Sequence, residues 1–188
     1  MSDMRTFIGV DIPDEAKMKL DALILKFKAL GGRVTWVRAA NLHLTVKFIG
    51  EFMPERLEDL SASLNEELNG YGAQKISLSG LGGFPNLKNP RVLWVGVDEG
   101  REWVVELIKR VENGCATLKI PREKKDAEPH LTLGRVRETR GGKRMLEVFG
   151  QTSFEYPAFD VNNITIYKSV LTPHGAEYTV LEKISFNK

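Results

Sequence analysis

The sequence of 188 residues contains a single cysteine, no long apolar run and no strong excess of charge of either sign. A lone Cys115 excludes an internal disulfide and any zinc site built on several cysteines. No run approaches the roughly 18 consecutive apolar residues that a membrane-spanning helix needs, and the N-terminal apolar run is too short and too charged at its flanks for a secretory signal. The net charge of +2 excludes a histone-like polycation. We therefore expect a cytoplasmic protein without a membrane segment.

Hydrophobic periodicity predicts an α+β chain. Apolar residues at helical spacing predict helices that begin near Asp14, Pro54, Trp103 and Met145. Runs rich in β-branched and aromatic residues predict strands over Met4–Ile12, Val34–Val37, Leu42–Ile49, Lys75–Leu81, Val92–Val97, His130–Val136, Phe154–Phe159, Ile164–Ser169 and Tyr178–Ile184. Because several strands follow one another without a helix between them, mostly antiparallel pairing is favoured. We expect one domain, 1–188, made of two lobes whose boundary lies near residues 70–100.

One tetrapeptide occurs twice in the chain. His43-Leu44-Thr45-Val46 recurs 87 residues later as His130-Leu131-Thr132-Leu133, and each copy lies on a predicted strand. The two copies hold two of the three histidines; the third, His174, lies in a Thr-Pro-His-Gly turn and is expected at the surface. A motif repeated at matching places in two halves indicates an internally duplicated fold.

The alternation of side chains along a strand predicts which of these residues share a face. His43, Thr45 and Lys47 should lie on one face of their strand, and His130 and Thr132 on one face of theirs, while the aliphatic residues between them face the core. If the lobes pack about a pseudo-twofold axis, two pairs of imidazole and hydroxyl groups meet across a groove.

Two imidazoles and two hydroxyls that face each other suit an in-line displacement at phosphorus. A histidine with an ordinary pKa of about 6.5 can take a proton from the attacking oxygen or give one to the leaving oxygen. Threonine hydroxyls can donate hydrogen bonds to the non-bridging oxygens. The scheme needs no metal, so we expect no cofactor. The alternatives from other classes are a metallohydrolase and a module that binds RNA or a nucleotide without turnover.

The paired motifs resemble those of the two-histidine (2H) phosphoesterase superfamily. Similarity to its RNA 2′,3′-cyclic phosphodiesterase family, the LigT-like proteins formerly called 2′-5′ RNA ligases, is carried by the flanking sequences RVTWVRAANLHLTVKFIGE, GGFPNLKNPRVLWVGV, PHLTLGRVR and ITIYKSVLTPHGAEYTVLEK. The similarity runs from about Arg5 to Lys183. It implies a bilobal α+β fold, in which two mostly antiparallel sheets are related by pseudo-twofold symmetry around a central cleft and the helices lie outside.

The resemblance also implies an activity, the metal-independent hydrolysis of RNA 2′,3′-cyclic phosphate ends to 2′-phosphomonoesters. His43 would be the proton donor and His130 the proton acceptor, with Thr45 and Thr132 holding the phosphate. The expected partner is such an RNA end or a cyclic nucleotide, with a nucleotide as a ligand of the cleft, and the protein is expected to be a monomer. Cleavage or ligation of 2′-5′ linkages is the alternative reaction on the same site.

Four further residues are candidates for substrate binding. Arg135 matches the arginine of the family pattern H-x-T-x-x-R and would contact phosphate, and Phe48 has the equivalent place in the first motif, where it would stack on a base or ribose. Strict alternation turns both away from the histidines, so we predict a β-bulge at Gly134, while core packing stays the alternative for Phe48. Lys47 shares the predicted face of His43 and would attract phosphate. Tyr167 would either line the cleft or pack in the core.

Overall fold

The computed structural model describes residues 3–139, 141–173 and 175–186, so His174 lies outside the described residues. In these ranges the chain forms four α-helices and nine strands. The helices are α1 (Asp14–Ala29), α2 (Leu57–Glu67), α3 (Arg101–Thr117) and α4 (Lys143–Gln151). The strands are β1 (Met4–Asp11), β2 (Arg33–Trp36), β3 (His43–Phe52), β4 (Gln74–Phe84), β5 (Val92–Val97), β6 (His130–Glu138), β7 (Glu155–Val161), β8 (Asn163–Thr172) and β9 (Gly175–Ser185). Within the described ranges, no helix combines the length and the apolar character needed to cross a membrane.

The strands form an antiparallel sheet in the order β7-β4-β5-β6-β3-β1-β8-β9, with β2 paired to β6. The expected α+β class and antiparallel pairing are confirmed. The two expected sheets are hydrogen-bonded into one, because the lobes β7-β4-β5-β6 and β3-β1-β8-β9 meet where Leu44 pairs with Leu131. Each of these leucines directly follows a motif histidine, so the seam between the lobes brings His43 and His130 onto neighbouring strands.

The helices pack outside the sheet and join the two lobes into one core. α1 follows β1 in the chain but packs beside α4, where Phe27 and Phe149 are 4.9 Å apart and Trp36 stacks on Phe27 at 6.1 Å. Lys19 of α1 also lies over the ring of Tyr156 in β7, which belongs to the other lobe. α3, which follows β5, packs in turn on β3 and α2. Because each lobe supplies a helix to the other, one hydrophobic cluster runs through both.

Matching β-bulges occur in the two motif strands. β3 has an extra residue, Val46, relative to β1, and β6 has an extra residue, Leu133, relative to β5. An extra residue reverses the alternation of the side chains that follow it, so Phe48 and Arg135 return to the face that carries the histidines. The bulge predicted at Gly134 is therefore present, one residue earlier than expected.

Lys47 corrects the sequence analysis, because its side chain does not share the histidine face. The bulge at Val46 turns it towards the core, where it is 1% exposed. Its ammonium group pairs with the carboxylate of Glu112 in α3 at 2.7 Å and donates a second hydrogen bond, also of 2.7 Å, to the carbonyl oxygen of Pro121. Lys47 thus ties β3 to α3 and to the segment that leads into β6.

We expect Lys47→Ala to lower the free energy of unfolding by about 3–5 kcal/mol, because it leaves the Glu112 carboxylate buried without its cation. The double variant Lys47→Met/Glu112→Leu removes both charges and should recover most of this loss. Denaturant unfolding measures both changes. As a control, Lys143→Ala breaks an exposed pair with Glu147 and should change stability by less than about 1 kcal/mol. A Lys47→Ala protein as stable as the wild type would contradict this account.

Candidate active site

A cavity of about 440 Å³, here called the cleft, opens over the seam between β3 and β6. It is lined by seven of the eight predicted site residues. One of them, Lys47, turns its ammonium group away towards Glu112, and the other six come from both motif strands. These residues are His43, Thr45, Phe48, His130, Thr132 and Arg135. The prediction that the two motifs face one cleft therefore agrees with the geometry.

Both histidines are oriented by the same kind of backbone contact. Nδ1 of His43 lies 2.7 Å from the carbonyl oxygen of Asn41, and Nδ1 of His130 lies 2.6 Å from the carbonyl oxygen of Glu128. A carbonyl oxygen can only accept a hydrogen bond, so Nδ1 carries a proton in each ring. Nε2 is then the nitrogen in each ring that can take up or release a proton.

The hydroxyl of Thr45 lies 3.0 Å from Nε2 of His43. When the ring is neutral the hydroxyl donates to Nε2, and when the ring is protonated Nε2–H donates to the hydroxyl oxygen. An oxygen of a ligand held by Thr45 would therefore lie close to the nitrogen of His43 that exchanges protons.

Aromatic rings hold the two imidazoles in place. Phe7 stacks on His43 with ring centres 4.7 Å apart, and Tyr178 meets the same imidazole edge-on at 5.5 Å. Phe84 meets the ring of His130 edge-on at 4.9 Å. Together with the carbonyl contacts, these rings restrict both the position and the plane of each imidazole.

Burial lowers the pKa of both His43 and His130 below the ordinary value, because desolvation disfavours the charged imidazolium. The hydrogen bond from each Nδ1 to its carbonyl oxygen opposes this shift. Nearby charges act on each ring in both directions. Asp11 raises and Lys17 lowers the pKa of His43, while Glu128 raises and Arg135 lowers the pKa of His130.

Two arginines make the cleft suitable for an anion. Arg135 lies on β6, and Arg5 enters the cleft from β1. The guanidinium of Arg5 lies 4.8 Å from the centre of the Phe48 ring, which places a cation over one face of that aromatic side chain. Guanidinium groups form strong, often bidentate, hydrogen bonds with phosphate oxygens. Among the described residues, no group of three His, Cys, Asp or Glu side chains is placed to hold a metal ion.

For Tyr167 the structure decides between the two alternatives, because its side chain packs in the core and does not line the cleft. Its side chain is buried behind Phe7, with ring centres 4.9 Å apart. Its hydroxyl donates a hydrogen bond to the carboxylate of Asp11. Tyr178 on the neighbouring strand β9 lines the cleft in its place.

The strands beside the motif strands carry a second repeat that the sequence analysis missed. Phe-Ile-Gly-Val-Asp at 7–11 recurs as Trp-Val-Gly-Val-Asp at 94–98, at the same spacing of 87 residues as the histidine motifs. The aromatic ring of each copy lies within 6.2 Å of its motif imidazole. A Cβ atom on Gly9 would lie 3.1 Å from Cδ2 of His43, so glycine leaves room for the ring. This repeat is the sequence signal that could have identified Phe7 and Trp94 as the aromatic residues beside the two histidines.

A family model described as LigT-like phosphoesterase matches the chain twice, over residues 10–94 and 95–178. Each match contains one histidine motif. The two matches together cover most of the chain, and each corresponds to one half of the internal duplication.

Individual relatives match along nearly the whole length. An RNA 2′,3′-cyclic phosphodiesterase of Methanocaldococcus jannaschii is 33% identical over 181 residues, which cover 96% of this chain and 99% of that protein. The crystal structure of a Thermus thermophilus protein is similar with a TM-score of 0.82 and 29% identity, covering 97% of this chain and 98% of that one. E. coli LigT complexed with 3′-AMP has the same fold, with a TM-score of 0.78, 23% identity and 99% of both chains covered.

We expect NMR of the imidazole nitrogens to find both His43 and His130 as the Nδ1–H tautomer, with pKa values below 6.5. The carbonyl contacts fix the tautomer, and burial lowers the pKa. The single variants His43→Gln and His130→Gln assign the signals. An Nε2–H tautomer in the neutral ring, or a pKa above 6.5 in the ligand-free protein, would contradict the described geometry.

Proposed function

The chain belongs to the family of LigT-like phosphoesterases, and from this premise we propose that it hydrolyses the 2′,3′-cyclic phosphate at RNA ends to a 2′-phosphomonoester. The observation that carries the proposal is the pair of imidazoles in one cleft, each with Nδ1 engaged by a backbone carbonyl and Nε2 left to exchange a proton. The names of the curated relatives support the same reaction.

The proposed reaction is an in-line displacement by water. Nε2 of neutral His130 takes a proton from the water as its oxygen bonds to phosphorus. The bond between phosphorus and the 3′-oxygen breaks, and Nε2–H of protonated His43 gives its proton to that oxygen. The hydroxyls of Thr45 and Thr132 and the guanidinium of Arg135 donate hydrogen bonds to the non-bridging oxygens, where negative charge increases in the transition state. These side chains and water supply every proton that the step needs.

The shape of the cleft supports this direction of proton transfer, although the charges around the two histidines do not. Each imidazole has one acidic and one basic neighbour, so the local charges do not separate an acid from a base. Phe48, 44% exposed, lies on the strand of His43, whereas Arg135 has the equivalent place on the strand of His130. A ribose or base against Phe48 and a phosphate against Arg135 put the leaving 3′-oxygen on the side of His43. E. coli LigT, a relative in fold, binds a nucleotide of this kind, 3′-AMP.

We expect His43→Ala and His130→Ala each to lower kcat/KM for uridine 2′,3′-cyclic phosphate by about 10²- to 10⁴-fold in the presence of a chelator, because each removes one proton transfer. The assay measures the initial rate and identifies the product, which should be the 2′-phosphate. His174→Ala, which changes the third histidine, serves as the control.

Retained turnover in either motif variant would contradict the two-histidine mechanism. Loss of wild-type activity on adding the chelator would favour a metallohydrolase instead. Turnover of 2′-5′-linked oligonucleotides in place of the cyclic phosphate would favour the alternative reaction on the same site.

We expect kcat/KM to follow a bell-shaped pH profile with both limbs below pH 6.5. The base must be neutral and the acid protonated, and burial lowers both pKa values, so the rate falls on the alkaline side as the acid loses its proton at a lowered pKa. Arg135→Met removes a cation that lowers the pKa of His130. If His130 is the base, this variant moves the acid limb to higher pH, and movement of the alkaline limb instead would reverse the assigned roles.

A further inference from the structure

Two grooves leave the cleft, one beside Arg5 and the other beyond His130. One, here called the Arg5 groove, has a volume of about 570 Å³ and shares Arg5, Ser169 and Leu171 with the cleft. The other, here called the His130 groove, has a volume of about 710 Å³, lies beyond His130 and is lined also by Phe84, Asn89, Arg91 and Lys125. A third cavity, of about 470 Å³, is continuous with the His130 groove through Lys125, Asp126, Glu128 and His130. A cleft of about 440 Å³ has the size of a small-molecule site, so a polynucleotide must continue along one of these grooves.

The proposed reaction decides between the two directions. In an in-line displacement, the entering water and the leaving 3′-oxygen lie on opposite sides of phosphorus. With His130 beside the water and His43 beside the 3′-oxygen, the terminal ribose lies on the side of His43. The RNA chain continues from that ribose through its 5′-oxygen, so it leaves the cleft within the lobe of His43, which is where the Arg5 groove begins.

The chemistry of the Arg5 groove suits a single-stranded nucleotide. Arg5 and Lys168 supply cations that can contact phosphate. Leu171 is 67% exposed and Val170 44% exposed, although both are large apolar side chains. Exposed apolar surface beside cations is what single-stranded nucleic acids cover when their bases pack on a protein.

The order of residues along the groove follows from strand alternation in β8. Ser169 and Leu171 line the cleft as well as the groove, while Lys168 and Val170 lie on the other face of the strand and line the groove alone. The groove therefore passes around the sheet from the catalytic side. Its acidic residues, Asp3 and Glu51, disfavour phosphate next to them, which leaves Arg5 and Lys168 as the phosphate contacts.

We propose that the Arg5 groove binds the nucleotide that precedes the cyclic phosphate end, with Lys168 at the phosphate that links the two nucleotides and Leu171 beneath the base of the preceding one. The inference rests on the proposed function and adds to it that the enzyme selects an RNA strand over a free cyclic nucleotide. The substrate class is then an oligoribonucleotide of at least two residues with a 2′,3′-cyclic phosphate end.

The test compares uridine 2′,3′-cyclic phosphate with the dinucleotide ApU that ends in the same cyclic phosphate. The measured quantity is the ratio of kcat/KM for the dinucleotide to kcat/KM for the mononucleotide. In the wild type this ratio should exceed one. Lys168→Ala and Leu171→Ser should each lower it roughly 5- to 10-fold, because each removes a contact that only the longer substrate makes. Lys168→Ala should also make the salt dependence for ApU shallower, by about 0.7 in the slope of log(kcat/KM) against log salt.

Arg91→Ala and Lys125→Ala are the matched controls, because they remove cations from the His130 groove. A fall of the ratio in these variants and not in Lys168→Ala would place the strand beyond His130 and overturn the inference. A wild-type ratio of one, or a ratio that none of the four variants changes, would also overturn it while the proposed hydrolysis stands. Failure of the wild type to hydrolyse either substrate would overturn the proposed function and this inference with it.

Discussion

The active cleft depends on one extra residue in each of two neighbouring strands. The bulges at Val46 and Leu133 reverse the alternation of the side chains after each threonine. With regular strands, Phe48 and Arg135 would point into the core, and the histidine face would lack both the aromatic ring and the guanidinium. Because the two bulges are separated by the same spacing as the histidines, the duplicated halves share this device.

The residue that directly follows the bulge differs between the two halves but has a similar structural role in each. Lys47 uses its core-facing position to bind Glu112 and the segment before His130. Gly134 has the equivalent position in β6, where a Cβ atom would lie 2.8 Å from Cγ1 of Val34, so the absence of a side chain lets β2 pack closely. In each half, the residue after the bulge thus holds the segment that precedes the histidine motif of the other half. That segment contains the carbonyl oxygen that orients the other half's histidine, Glu128 for His130 and Asn41 for His43.

The two histidines have similar charges around them, but the side chains that would contact the substrate beside each of them differ. This difference explains how two similar histidines can have different roles. Both imidazoles are lowered in pKa by burial and are oriented through Nδ1. An aromatic ring in one lobe and a guanidinium in the other distinguish the two sides of a bound nucleotide. On this account the orientation of the substrate, more than the intrinsic basicity of either ring, assigns the proton donor and the proton acceptor.

The sequence by itself determined the α+β class, the duplication and the pairing of His43 with Thr45 and of His130 with Thr132, because strand periodicity and a repeated motif are local properties. It also required a bulge for Arg135, although its position differed by one residue. Only the tertiary structure decided the side of Lys47 and the burial of Tyr167, since both depend on partners far away in the chain, Glu112 and Asp11. The same is true of the seam that joins two expected sheets into one, because the register between strands from different halves is set by how the lobes pack.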